Sequence, residues 1–523
     1  MMTEQRTKKV AGKGSQPEAE VEVLYVHPSK QGLNFTANSG MGRPYGLIPV
    51  GLPALVNLLR QQGIPVRGVS HPLEVQLNPS FNLKKWLASH RRAKVVLIDM
   101  HWYEHCFGAV DTARAVKAAL PDAWTILGGL SASGFAREIM EQFEVVDFVI
   151  RGDAEKPLTS LVRLLLDGYD PESLRANLRE IPNLTYRDQE EIVENPLTYT
   201  ATSEDLDSLD FVDLSFLEHH RAYFVHEYIV TDLARARERI DTSPYLGRWI
   251  TTARGCKFNC SYCGGGRSAH KRLANRVGLV VRSPEKVVED LSRLEKMGVI
   301  QASMTYDIAE ISEDYWRELF DRIRRGGVKI GIYNEFFQMP DAVFVEEFAR
   351  TVPREHSCLA VSPLSGNEKV RRLNGKHYSN QELFDLLEVL SRNRVYLFVY
   401  FSLNLPGETQ ETFEETIELA QAVYEFYPNS LLKILNTVHT IDPLAPMNVN
   451  AEKFGIQSSM KSFKDYYLYC FNTQFSDPTA RTDLYRGFVL DEPGDRSVEA
   501  MANRWDRERT GKEISWWPIP PSW

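Results

Sequence analysis

Short β-branched runs alternate with apolar residues at helical spacing in two long series along this chain, and that rhythm limits the possible folds more than any other feature. Between Val21 and about Asp167 the runs VEVLYVH, PVRGVS, KVVLIDM, WTILGG and VDFVIRG read as strands. The stretches PVGLPALVNLLRQQG, GAVDTARAVKAAL, SGFAREIMEQF and KPLTSLVRLLL carry the helical period. Helices between strands serve as the crossovers that parallel strands require, so the pattern predicts an α/β, doubly wound (Rossmann-like) sheet. Such sheets bind ligands at the carboxyl ends of their strands.

The second series runs RWITTA, QASMTY, VKIGIY, CLAVS, VYLFVYFSL and LLKILNT, separated by helices such as PEKVVEDLSRLEKMG and QELFDLLEVLSRN. These strand and helix units predict a partial (β/α)6 barrel with its chemistry at the C-terminal strand ends. The expected organisation is a disordered tail at 1–20, the doubly wound domain at 21–167, a connecting segment at 168–247, the barrel at 248–445 and a small irregular, aromatic-rich region at 446–523. With 523 residues, 43% of them hydrophobic, the chain has material for two or three ordinary cores at about 150 residues each.

The net charge is −9, with no block of like charge, so nucleic acid is not an expected partner. Met1 to Glu20 lacks the apolar stretch of a secretory signal, and no segment approaches the roughly 18 apolar residues of a membrane helix. The expectation is a cytoplasmic protein without a membrane partner. Six cysteines in so long a chain make no disulfide framework.

Three of the six stand close together in ARGCKFNCSYCGGG, directly after the first strand of the second series. The spacing of Cys256, Cys260 and Cys263 lets one loop aim three thiolates at a single iron–sulfur cluster. Three ligands for four irons leave one iron open. A zinc knot would close with four ligands, and this region offers no convincing fourth Cys or His. Cys106, Cys358 and Cys470 are expected to be buried and unreactive.

CxxxCxxC with an aromatic residue before its last Cys resembles the radical S-adenosylmethionine superfamily, over Trp249 to about Thr437. The resemblance implies a 4Fe-4S cluster on the three cysteines, S-adenosylmethionine chelated at the open iron, and an external reductant such as flavodoxin or ferredoxin. It implies that Tyr262 lies against the adenine, while Gly264, Gly265 and Gly266 let backbone approach the cofactor closely. In MTYDIAE the residue matching the family's polar hold on the cofactor's amino end is Asp307, without the usual glycine-rich form. VSPLSGNEKVRRLNGKHY resembles the family's ribose and carboxylate contacts, which points to Ser362 and Ser365. NLPGET, with Pro406, Gly407 and Glu408, resembles the family's LPGET turn.

The loops of the first domain are similar to those of cobalamin-binding domains in the same superfamily. RPYGLIPVGLPAL resembles the PxGL opening of their first helix, with Tyr45 between the proline and Gly46, while LGGLSAS and RGDAEKPL resemble their GG and RGEGE loops. Cobalamin contacts are therefore expected from Tyr45, Gly46, His101, Trp102, Gly128, Gly129, Ser131, Gly152 and Glu155. Gly128, Gly129 and Gly152 would leave room for the nucleotide tail; Glu155 would either cap its helix or touch that tail. The loop HWYEHCFG either faces the corrin or substrate or packs as an aromatic layer between domains. The DxHxxG signature is missing: His27 stands in YVHPSK, but Tyr25 and Lys30 hold the Asp and Gly places, so no histidine ligand to cobalt is expected from it.

Both halves together resemble the cobalamin-binding radical S-adenosylmethionine enzymes, over roughly Val21 to Thr437. The implied function is methyl transfer to an unactivated carbon, or a phosphinate phosphorus, of a small-molecule biosynthetic intermediate. In the implied mechanism one S-adenosylmethionine methylates cob(I)alamin and a second yields a 5'-deoxyadenosyl radical that takes a substrate hydrogen. The substrate radical then takes methyl from methylcobalamin. A rearrangement or cyclisation without methyl transfer is the second reading, and a non-catalytic cobalamin or iron–sulfur sensor the third.

Overall fold

A computed structural model describes residues 21–34, 46–229, 243–438, 441–473, 487–491 and 497–512. The expected tail at 1–20, Tyr45 and the final WWPIPPSW lie outside the described residues. The first sheet contains β1 (Val23–His27), β2 (Val66–Ser70), β3 (Val95–Asp99), β4 (Trp124–Gly128), β5 (Phe148–Ile150), β6 (Leu184–Asp188) and β7 (Glu191–Glu194). Their order is β2-β1-β3-β4-β5-β6-β7, parallel through β5 and antiparallel from β5 to β7. Every residue of VLYVH in β1 and VVLID in β3 is buried, the mark of strands covered on both faces. The strand order reverses between β1 and β3, and the crevice outside their carboxyl ends is where a doubly wound sheet takes its ligand. NLTYRD, within the stretch read as a connection, supplies β6, so part of that stretch widens the first sheet.

The second sheet is built from β8 (Gly247–Ile250), β11 (Gln301–Met304), β12 (Gly331–Phe336), β13 (Cys358–Leu364), β14 (Tyr396–Leu403) and β15 (Leu432–Val438). These six strands are parallel and stand in chain order across the sheet, the partial (β/α)6 barrel that the sequence predicts. Local signals start its helices where expected. At Asn380–Arg392, Ser379 Oγ accepts from Glu382 N (3.1 Å) while Glu382 Oε2 accepts from Ser379 N (2.7 Å), a capping box that stabilises the helix by about 1 kcal/mol. A small ribbon, β9 (Ala253–Gly255) paired antiparallel with β10 (Leu279–Val281), forms the root of the cysteine loop.

The C-terminal region returns to the first domain. The helix Phe463–Thr473 packs on Cys106–Ala119 through ring contacts of Phe107 with Tyr467 and Phe471, and Phe463 and Tyr466 contact Phe135. Among the described residues no helix is long and apolar enough to cross a membrane.

Candidate cluster and cofactor site

Thr251 and Thr252 separate β8 from β9, and from Gly255 the chain leaves the barrel for an excursion that returns at Gly278. The neck of that excursion is tight: Gly255 has φ +101°, and a Cβ there would lie 2.3 Å from Gly278 O. Cys256, Cys260 and Cys263 are all part-exposed and carry free thiols. Burial, and then the Asp442 carboxylate, push the Cys263 thiol up to about 12, with Cys260 and Cys256 adding to it. Burial likewise raises Cys256, again with Cys260 contributing, so the three sulfurs sit close enough to repel one another as anions. A cationic metal centre is what would relieve such a set, since thiolates rather than thiols bind metal.

Phe258 N donates to Cys256 Sγ (3.4 Å), and Gly265 N donates to Cys263. Such bonds aim sulfurs and tune a cluster. Gly375, at φ +93°, passes over Cys260 so closely that a Cβ would lie 3.0 Å from its sulfur. Among the described residues no three Cys, His, Asp or Glu side chains converge as the ligands of one metal ion. Three part-exposed thiols on one loop, close enough to raise one another, suit the thiolate ligation of an iron–sulfur cluster with one iron left open.

The residues expected to hold S-adenosylmethionine fall into two groups. Tyr262 packs against Leu364, Val370 and Leu405, the last of which opens the LPGET turn. Gly264 N donates to Asp442 Oδ2 (3.1 Å), and a Cβ on Gly264 would lie 2.7 Å from Asp442 Cγ. Ser362 Oγ donates to Glu335 Oε1 (2.7 Å), joining the ends of β13 and β12 in a polar pair. Asp307 and Ser365 are instead engaged within the protein. Asp307 accepts from Ala309 N (3.0 Å), Asn334 Nδ2 (3.1 Å) and Phe337 N (2.8 Å), a clip between the ends of β11 and β12, and burial pushes its carboxyl up to about 7. Ser365 Oγ lies 3.2 Å from Thr416 Oγ1 and accepts from Asn367 N, fastening the β13 end to the helix Gln410–Phe426. Asp442 and Glu335 escaped the sequence reading; an acidic residue at a barrel strand end is the signal that marks Glu335.

Glu408 accepts from Leu405 N (3.3 Å), and burial pushes its carboxyl up to about 8, well above the ordinary 4.5. A raised carboxyl leaves the fold fully stable at low pH and costs stability as pH climbs from about 4.5 through about 8. Glu408→Gln should therefore match the native protein near pH 4.5 and exceed its stability by about 2–4 kcal/mol near pH 8.5, measured by urea unfolding at both values. Equal stability at the higher pH would show that the native carboxyl ionises there without cost.

A cavity of about 590 Å³ lies where the carboxyl ends of the two sheets meet. From the first domain His101, Trp102, Gly128, Gly129, Gly152 and Glu155 line it; from the second, Arg254, Cys256, Cys263 and Gly265 do. The HWYEHCFG loop is divided between its two readings. His101 and Trp102 face the cavity, whereas Tyr103 packs on Tyr466 and Tyr469 of the C-terminal helix. Ser131 holds that loop: its N and Oγ both donate to His101 O at 3.0 Å. Gly46 opens the described segment whose next residues, Leu47 to Val50, line the cavity, and Ile48 N donates to the Tyr223 hydroxyl.

The glycines have distinct reasons. A Cβ on Gly128 would meet nothing nearer than Ile150 O at 4.0 Å, so this position leaves open space for a ligand. Gly129 has φ +114°, and a Cβ there would lie 2.6 Å from His101 Cα; Gly152, at φ +65°, abuts Ala274 Cα at 2.9 Å. Those two make room for protein backbone. The Glu155 carboxylate accepts no hydrogen bond from the start of its helix and sits 2.7 Å from Arg254 Nη1. His27 is fully buried with Nδ1 3.0 Å from Asp99 Oδ1, so β3 supplies the carboxylate that is missing at Tyr25. The cavity lining does not include His27.

Residues 250–420 match the model of the radical SAM superfamily. The anaerobic magnesium-protoporphyrin IX monomethyl ester cyclase of Cereibacter sphaeroides is 24% identical over 393 residues, which cover 73% of this chain and 56% of the relative. The hopanoid C-3 methylase of Methylococcus capsulatus is 26% identical over 294 residues, 55% of this chain and 48% of the relative. The chain thus spans about half the length of these curated relatives. The radical S-adenosylmethionine methyltransferase TsrM from Kitasatospora setae, solved with tryptophan and an S-adenosylmethionine analogue, is 15% identical with a TM-score of 0.62, covering 86% of this chain and 82% of that one. A second structure of TsrM holds cobalamin and a [4Fe-4S] cluster and superposes with a TM-score of 0.59. The barrel with its cysteine loop is thus a match to the radical SAM superfamily over residues 250–420, and the whole chain shares the two-domain fold of TsrM.

Proposed function

We propose that the chain is a cobalamin-dependent methyltransferase that uses radical chemistry to methylate an unactivated carbon, or a phosphinate phosphorus, of a small biosynthetic molecule. The observation that carries this reading is the shared cavity, in which Gly128 and His101 of one sheet and Cys256 and Cys263 of the other line one space. When bound, the cluster with S-adenosylmethionine supplies a radical able to take hydrogen from an unreactive C–H bond, and cobalamin supplies a transferable methyl group. Residues 21–167 would hold the methyl carrier and residues 248–445 would generate the radical.

In this reading the chain's own residues bind and orient. Cys256, Cys260 and Cys263 hold the cluster with one iron open. Tyr262 and the Ser362–Glu335 pair present an apolar surface and a hydrogen-bonding pair toward the nucleoside. Gly128 keeps the floor of the first domain open, while Trp102 and the apolar segment from Leu47 to Val50 keep water from the reaction space. Electrons come from an external protein reductant of the flavodoxin or ferredoxin kind.

The reduced holoenzyme with its substrate should form 5'-deoxyadenosine and S-adenosylhomocysteine in equal amounts, with the methyl label of S-adenosylmethionine recovered in the product. A cyclisation is the second reading, favoured by the likeness to a protein named as a cyclase. It predicts 5'-deoxyadenosine and altered substrate with no S-adenosylhomocysteine. Neither product under strong reduction would leave the chain as a sensor.

A further inference from the structure

We infer that Asp153 is a positioning residue: it fastens both ends of the cysteine loop's neck to the first domain and so sets where the cluster edge stands against the facing sheet. This rests on the reading of Cys256, Cys260 and Cys263 as cluster ligands. The neck has two strands, with Arg254 just before Gly255 on the outgoing side and Arg276 two residues before Gly278 on the returning side. Both guanidinium groups converge on the one carboxylate. Arg254 Nη1 donates to Asp153 Oδ1 (2.9 Å) and Arg276 Nη2 donates to Asp153 Oδ2.

The carboxylate is itself prearranged. Asp153 is 5% exposed, and Ala201 N donates to its Oδ2 (2.8 Å). Asn183, held at φ +63°, donates from Nδ2 to the carbonyls of Asp153 (3.0 Å) and Tyr199 (2.9 Å), fixing the loop from behind. Arg276 is 2% exposed, and among the described residues Asp153 is the acid that pairs with it. Removing that acid leaves a guanidinium buried without a counter-charge, which the neck can relieve only by moving. Glu155 adds a second hold on Arg254 alone, at 2.7 Å, whereas Asp153 is the carboxylate that joins Arg254 to Arg276. Beside these ion pairs, the backbone contact of Gly152 with Ala274 brings the loop after β5 against the helix Arg267–Ala274. Cys256 is two residues beyond Arg254, so a shift of the neck is passed directly to the cluster.

The test is hydrogen exchange of the full chain, read by mass spectrometry, together with the electron-spin spectrum of the reduced cluster with S-adenosylmethionine added. Asp153→Asn should raise exchange in peptides covering 256–278 and 152–158 by at least tenfold in rate. The barrel helices Glu313–Gly326 and Asn380–Arg392 should stay unchanged, and the reduced-cluster spectrum should broaden at full iron content. Arg254→Lys, which keeps the charge and leaves the Arg276 pair in place, should retain a narrow spectrum and native exchange. Native exchange at 256–278 in Asp153→Asn, or a uniform rise over the whole chain with an unaltered cluster spectrum, would overturn the inference. Should Asp153→Asn fail to fold, Arg254→Gln gives the same readouts from the outgoing side alone. The exchange result does not depend on cobalamin or methyl transfer, and failure of the cluster reading itself would show as absent iron in the native protein.

Discussion

Replacing Cys256, Cys260 and Cys263 together by alanine is expected to abolish the visible iron–sulfur absorbance of the anaerobically reconstituted protein and to drop S-adenosylmethionine cleavage to the background without enzyme. The loss is complete because these three part-exposed thiols stand on one excursion, whereas the other three cysteines, Cys106, Cys358 and Cys470, are buried. Cys106→Ala, Cys358→Ala and Cys470→Ala serve as controls. All three thiols are fully buried, and burial pushes each of them up, so they are inert packing groups. Each control should keep its cluster and lose only the stability of a small core truncation, roughly 1–2 kcal/mol. A full cluster on the triple variant would remove the basis of the whole functional reading.

Gly128→Trp is expected to weaken cobalamin binding by at least about 100-fold, or about 2.7 kcal/mol, while leaving cluster loading intact. The native position meets no atom nearer than 4.0 Å on the side where a Cβ would project, and it lines the cavity, so an indole there occupies ligand space without forcing backbone apart. Equilibrium dialysis with hydroxocobalamin, beside an iron assay on the same sample, separates the two effects. The neighbouring glycine gives no such test. At φ +114° and 2.6 Å from His101 Cα, even Gly129→Ala is strained by about 1–3 kcal/mol, and any lost binding would report a disturbed fold. Undiminished cobalamin binding by Gly128→Trp would mean that the ligand does not use this cavity floor.

The two glycines show where local sequence stops. GG after a strand announces a close approach, and the sequence reading assigned both members to a nucleotide tail. The structure assigns the second to the His101 backbone, a partner 28 residues earlier in the chain that no local pattern names. Asp307 and Ser365 show the same limit from the other side: their residue types suit a cofactor contact, and only the folded structure shows that their side chains also accept from backbone donors of the neighbouring strand ends and loops.

What the sequence determined by itself was the set of elements and the place of the thiols. Strand and helix periods are properties of neighbouring residues, so the five parallel strands of one sheet and the six of the other were legible, and with them the cysteine loop at a carboxyl strand end. The tertiary structure decided everything that depends on two distant segments meeting. Asp153 finds Arg254 and Arg276 more than a hundred residues away, and Glu335 finds Ser362 across a strand boundary. The helix Phe463–Thr473 covers the first domain from the far end of the chain. Each of those meetings is fixed by how whole sheets dock, because buried charges and aromatic faces settle on whichever partner the packed layers bring within reach, and one-dimensional spacing carries no record of that.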